Sequence, residues 1–192
     1  MIWMSKGMGA AISGFAKRRH AGLDPAPAFS STERQEGTPR LKAGVTIGIM
    51  RIFTIGYEGA TVPEFIAALK QAGVEQVIDV RALPLSRRPG FSKTPLRNAL
   101  AEAGIDYVHL KALGTPAEGR AAARAHRDSD LKRIYAGQLE LAEAIAQSGQ
   151  MLALAGERPS ALLCMEREPA HCHRQLLLEA VAPGAEVVHL FA

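Results

Sequence analysis

At 192 residues, 47% of them apolar, the chain is long enough to bury one core, and it lacks the run of about 18 to 20 apolar residues that a membrane-spanning helix needs. Its formal net charge of +4 is unevenly placed: residues 1 to 50 hold seven Lys/Arg against three Asp/Glu, and residues 51 to 192 hold sixteen of each. A neutral main segment excludes the broad positive field of a general duplex binder and leaves room only for a local phosphate-binding patch.

Residues 1 to 49 carry no sustained hydrophobic period. They include the basic run "KRRH" (Lys17 to His20) and the turn-rich "DPAPAFSST" (Asp24 to Thr32). This composition reads as a disordered extension, or as sequence upstream of a start at Met50, where the first regular element begins. A secretory leader would not place "KRRH" directly after so weak an apolar stretch. With two cysteines and no such leader, a reducing cytoplasmic setting is expected.

From Met50 onward, strand-length apolar runs alternate with helix-period segments, the pattern of βαβ units around a mostly parallel sheet. The first strand is Arg51 to Gly56. Thr61 and Glu64 form a capping box for a helix whose inner face is Phe65, Ile66, Leu69 and Ala72, and Gly73 stops it. Glu75 to Arg81 is the second strand, followed by the polar loop Ala82 to Lys93. Thr94 caps the next helix with Pro95 at its first position, and Gly104 ends it. Ile105 to Leu110 is the third strand. A segment from Arg120 to Arg127 and a helix from about Asp130 to Gln147 follow, with Leu131, Ile134, Tyr135, Leu141 and Ile145 as core positions. Ser160 to Met165 is the fourth strand, Pro169 to Val181 the last helix and Glu186 to Phe191 the fifth strand. The expected fold is one three-layer α/β domain over residues 50 to 192, with about five strands and helices on both faces.

In such a sheet the loops leaving the strand carboxyl ends gather at one rim, where open α/β sheets bind ligands. Cys172, read as lying in the first turn of the last helix, gains positive potential from unpaired N–H groups and from His173 and Arg174. It is either a reactive thiol or one more buried cysteine. Cys164 ends an apolar strand and reads as core. Asp79 and Arg81 share a strand face, as a bracing ion pair or as a proton-handling carboxylate beside Glu166. Arg81, Arg87, Arg88, Lys93 and Arg174 would form a cationic rim, and Tyr57 and Phe91 are the aromatics placed to stack a base or sugar. Arg120, Arg124 and Arg127 fall on one helical face, a solvated stripe or a phosphate contact. Cys164, Glu166, His171, Cys172 and His173 include zinc-type ligands, but no pair of short Cys spacings is present, so neither metal nor cofactor is expected.

Taken together and in order, "TIGYEG", "VIDVRALPLSRRPGFSK", "GIDYVHLKALGTP" and "LLCMEREPAHCHR" resemble the domain-of-unknown-function 488 family, over about Arg51 to Leu190. The resemblance implies a compact α/β domain with a shared polar site and brings no reaction. The family pattern falls on Gly56, Asp79, Arg81, Ser86, Arg87, Phe91, Lys93, Gly114, Cys164, Glu166, Cys172, His173 and Arg174.

The expected function is an enzyme or binding protein for a small anionic or nucleotide-like ligand. Asp79, Glu166, Cys172 and His173 would handle the chemistry. Gly56, Tyr57, Arg81, Ser86, Arg87, Phe91, Lys93, Gly114, Arg120 and Arg174 would hold the ligand. Three alternatives stand beside it: a nucleic-acid module using the Ser86 to Lys93 loop and the arginine stripe, a rhodanese-like thiol protein, and a redox sensor pairing Cys164 with Cys172.

Overall fold

A computed structural model describes residues 50 to 192. The expectation that residues 1 to 49 are a disordered or non-native extension lies outside the described residues. Five strands, β1 (Arg51–Gly56), β2 (Gln76–Asp79), β3 (Asp106–His109), β4 (Ser160–Cys164) and β5 (Glu186–Phe191), form one sheet in the order β3-β2-β4-β1-β5. Every pairing is parallel. Six α-helices complete the layers: α1 (Val62–Gln71), α2 (Lys93–Glu102), α3 (Ala117–Arg124), α4 (Asp128–Leu139), α5 (Ala142–Glu157) and α6 (His173–Val181).

Alternation along each strand divides the core in two. Phe53, Ile55 and Tyr57 of the β1 segment, Val77 of β2 and Leu163 of β4 pack with Phe65 and Leu69 of α1 and Leu96 and Leu100 of α2. Ile52, Ile78, Val80 and Leu162 face the other way, onto Tyr135 of α4, Met151 and Ala155 of α5 and Leu177 and Leu178 of α6. Burying each such large apolar side chain contributes about 1.5 to 3 kcal/mol. β4 lies between β1 and β2, with the helix after β1 on one face and the helix after β4 on the other. The carboxyl ends of β1 and β4 therefore form a topological switch point, where such sheets open a crevice.

Local signals account for much of this. The Thr61–Glu64 capping box forms, and Gly73 and Gly104 end α1 and α2 at φ of 69° and 77°, values that favour glycine. The strands β2, β3 and β4 are one to three residues shorter than the sequence reading, and the helix boundaries differ more. α2 starts at Lys93, so Thr94 and Pro95 lie inside its first turn and not at its cap, and the cap residue Ser92 gives its hydroxyl to the Ser86 backbone and not to the helix end. The single helix expected from Asp130 to Gln147 is two, broken at Glu140 and Leu141. The buried face of α5 is Ala144, Ser148, Met151 and Ala155, and Leu141 and Ile145 are 53% and 60% exposed, since a periodicity carried across the break assigns the wrong face. The Arg120–Arg127 helix stops at Arg124, and His126 takes a left-handed φ of 52°. The last helix begins at His173, after a 3-10 turn at Pro169–His171, with Cys172 as its extended cap residue.

Candidate functional site

The predicted rim exists at the carboxyl end of the sheet, but the sheet itself separates its residues into two networks. On the α1/α2 face stands the Asp79–Arg81 pair. Asp79 is fully buried and accepts from Arg81 Nε at 2.9 Å and Arg81 Nη2 at 2.6 Å, from the Arg81 backbone N–H at 3.0 Å and from the Tyr107 hydroxyl at 2.6 Å. Arg81 spends Nη1 on the Phe91 carbonyl and the Tyr57 hydroxyl. Burial alone would weaken the guanidinium charge, but the Asp79 carboxylate outweighs it and raises the Arg81 pKa. Burial and the same carboxylate raise the Tyr107 hydroxyl. Both Asp79 oxygens are thus engaged within the protein, and Arg81 ties the end of β2 to the Phe91 backbone.

Tyr57 and Phe91 stack on each other at 4.5 Å and are 2% and 1% exposed, so they fill the core and offer no face to a base or sugar. Gly56 and Gly114 serve close packing. A Cβ on Gly56 would come within 1.9 Å of the Glu166 carbonyl oxygen, and one on Gly114 within 1.9 Å of the Ala82 nitrogen. Ser86 organises its own loop, receiving the Arg88 N–H and bonding Ser92. Arg87 and Lys93 are exposed, with Lys93 Nζ 3.2 Å from His109 Nδ1. Arg120 donates to the Thr115 carbonyl, and Arg127 pairs with Asp130 beyond the end of α3. The expected single-face stripe of Arg120, Arg124 and Arg127 is therefore broken.

The second network lies on the α4/α6 face, where the β4–α6 connection brings Cys164, Glu166, Cys172, His173 and Arg174 together. Seating of the Glu166 backbone against Gly56, and a Glu58 N–H bond to the Met165 carbonyl at 2.9 Å, hold this loop to β1. Cys164 donates to Glu166 Oε2 at 2.8 Å, and the same oxygen lies 3.3 Å from Cys172 Sγ. His173 Nδ1 is 3.5 Å from Cys164 Sγ and 3.8 Å from Cys172 Sγ, while its Nε2–H donates to the Val80 carbonyl at 3.0 Å. Tyr135 meets the imidazole edge-on at 5.4 Å. Arg174, 1% exposed, donates Nε–H to Cys172 Sγ at 3.3 Å and Nη2–H to the Glu166 carbonyl at 2.5 Å. Among the described residues it has no carboxylate partner.

The electrostatics follow from these contacts. Burial pushes the Cys164 thiol up, and the neighbouring Cys172 charge adds to it. Burial would also raise Cys172, but the Cys164 S–H, the His173 ring and Arg174 outweigh that and hold it well below the ordinary thiol value. Burial raises Glu166, with the Cys172 charge second. For His173, burial acts downward and the Cys172 thiolate more than reverses it. The same cluster thus pushes the two thiols in opposite directions.

Cys172 also lines a cleft of about 100 Å³ with Asp128, Leu131, Lys132, Ala170 and Leu176. A larger depression of about 400 Å³ sits at the opposite end of the strands, around Arg51, Phe53, Arg158 and Pro159, and contains none of the predicted site residues. Sequence reasoning does not find Tyr107, Tyr135, Asp128 or Lys132 as site residues. Periodicity places Tyr135 in the core, and its hydroxyl, which donates to the Leu113 carbonyl at 2.6 Å, is the only hint of a polar task.

The model of the domain of unknown function DUF488 matches residues 61–181. The chain belongs to the DUF488 family. The match covers α1 through α6 and leaves the edge strand β5 and the strand β1 outside it. No curated protein and no solved structure matches the chain. No helix among the described residues of this DUF488 protein is long and apolar enough to cross a membrane.

Proposed function

We propose that this DUF488 chain is a thiol-dependent enzyme or binding protein in which Cys172 meets a small anionic ligand in the cleft between α4 and α6. The observation that carries this reading is the position of Cys172, a member of the buried thiol–imidazole–carboxylate cluster that also lines a cleft. Its sulfur is the contacting or nucleophilic atom, His173 Nδ1 is placed to hold its proton, and Arg174 Nε supports its charge. Lys132 supplies positive charge at the mouth for the ligand, beside Asp128. Glu166 carries the carboxylate role, and Asp79 acts at a distance by bracing the β2 end. A volume of about 100 Å³ favours a ligand of a few heavy atoms over a nucleotide, whose class of site runs to about 300 Å³ or more.

Paired alkylating agents test the reading. Thiolate sulfur displaces iodide from anionic iodoacetate or neutral iodoacetamide, forming an S–C bond as the C–I bond breaks. Mass spectrometry of the reduced full chain is expected to place the adduct on Cys172 ahead of Cys164, with a preference for iodoacetate that Lys132→Glu reverses. Equal labelling of the two cysteines, or no preference for the anion, would sink the proposal.

A second reading has one specific observation in its favour, since the two sulfurs belong to a cluster whose ligand atoms all lie within 4.8 Å. Oxidised glutathione would accept two electrons and two protons as Cys164 and Cys172 pair. An intact mass unchanged by that oxidant removes this reading.

A further inference from the structure

We propose that Cys164, Glu166, Cys172 and His173 form a four-ligand site for a thiophilic divalent cation of the zinc type. Their ligand atoms lie within 4.8 Å of one another. A tetrahedral zinc with Zn–S near 2.3 Å and Zn–N near 2.0 Å has ligand–ligand edges of about 3.5 to 3.8 Å. The two sulfur–imidazole distances, 3.5 and 3.8 Å, already match, and the Cys172–Glu166 edge is 3.3 Å. The Cys164–Glu166 edge, a hydrogen bond at 2.8 Å, must open as the ion enters, and no edge of the set exceeds 4.8 Å.

Two further features are those a metal ligand set requires. The His173 Nε2–H is fixed on the Val80 carbonyl, so in the neutral ring Nδ1 carries the free lone pair, 3.5 and 3.8 Å from the two sulfurs. Two thiolates and a carboxylate carry three negative charges. A divalent ion cancels two, and the buried Arg174, with its Nε–H on Cys172 and no carboxylate partner among the described residues, cancels the third. The local sum is zero, which is what a buried polyionic cluster needs. Sequence spacing conceals the site because its halves come from a strand end and a helix start joined by one loop, and not from paired knuckles. Of the four ligands, Cys172 borders the cleft and is the one an entering ion would meet first.

Ligands that carry protons release them to water as the metal binds, and no electron moves. Binding itself is independent of the thiol chemistry proposed above. Its consequence, that a loaded site masks the Cys172 lone pair and so regulates that chemistry, rests on it.

The untagged, reduced and chelator-treated full chain is titrated with Co2+ and then with Zn2+. One Co2+ per chain is expected, with the visible absorption of tetrahedral thiolate coordination, displaced by one Zn2+. Cys164→Ser, Cys172→Ser and His173→Gln should each weaken Zn2+ by about 100-fold or more, beyond what loss of an outer hydrogen-bond partner costs. If a variant does not fold, protection of the wild-type cysteines from N-ethylmaleimide by Zn2+ gives a second readout. Sub-stoichiometric Zn2+ that leaves both cysteines open to the reagent overturns the proposal, as does affinity unchanged in folded variants. Stoichiometric metal with an inert metal-free Cys172 would support the metal site and sink the thiol reading. A reactive Cys172 that Zn2+ neither binds nor protects would do the reverse.

Discussion

The Asp79–Arg81 network and the Cys172 cluster sit on opposite faces of the same sheet edge, and both bury charge, yet they are built on opposite principles. Every acceptor site of Asp79 that faces protein is matched by a donor, and the pair closes on itself through Tyr107, Tyr57 and Phe91. The Cys172 cluster gathers four ligand-type groups around one small space, with a buried arginine whose charge is answered by sulfur and backbone carbonyls. A closed set of charges holds a loop in place, whereas a convergent set with an approach from solvent is suited to receive something. Nearness to the strand ends does not by itself tell the two apart.

The largest expected effect breaks the closed side. Asp79→Ala leaves the Arg81 charge buried and unanswered and should cost about 3 to 5 kcal/mol, read as a fall in the urea midpoint, while the double variant Asp79→Leu with Arg81→Met recovers most of that loss. A small cost for the single variant would mean that the pair is no brace. Next comes Gly56→Ala, whose Cβ would collide with the Glu166 backbone. Overpacking of this kind costs about 1 to 3 kcal/mol, and the variant should also disturb alkylation at Cys172, because the same backbone holds Glu166 and Arg174. Stability lost with alkylation unchanged would uncouple the β1 contact from the thiol corner. Tyr135→Phe removes the hydroxyl bond to Leu113 while keeping the ring on His173, with an expected loss of about 1 kcal/mol in chemical denaturation.

The smallest effect is a pH dependence. His189, bonded to Thr54 Oγ1 at 2.8 Å, has its pKa lowered first by burial and then by the Arg174 charge. The unfolded chain therefore takes up this proton before the folded one as pH falls. Stability should be flat above the ordinary histidine range, decline through it and level off once the folded ring protonates too. His189→Asn should flatten that segment of a urea-midpoint profile between roughly pH 8 and pH 5. An unchanged slope would assign the dependence to other groups.

What the sequence made legible was local. The strand runs, the Thr61 and Glu64 box and the stops at Gly73 and Gly104 depend on residues within a few positions, and they fall where the periodicity puts them. The gathering of loops at one rim also follows from parallel strands. Which face each residue takes was not legible, because that depends on β4 being inserted between β1 and β2, a pairing about a hundred residues apart. Hence Asp79 and Cys172, expected in one pocket, lie on two faces. Tyr107 and Tyr135 owe their partners to the same long-range packing, and the break at Glu140 carries no Pro or Gly to announce it.

The seating of the Glu166 backbone in the side-chain-free notch at Gly56 has a directional consequence. With that flank plugged by main chain and Arg174 gripping the same carbonyl from within, the side of the cluster that borders a cleft is the Cys172 side, between Asp128, Leu131 and Lys132 of α4 and Leu176 of α6. Selection among visitors would then fall to the α4 and α6 residues that line it, and a change of clientele would be written there with the chemistry behind it left intact.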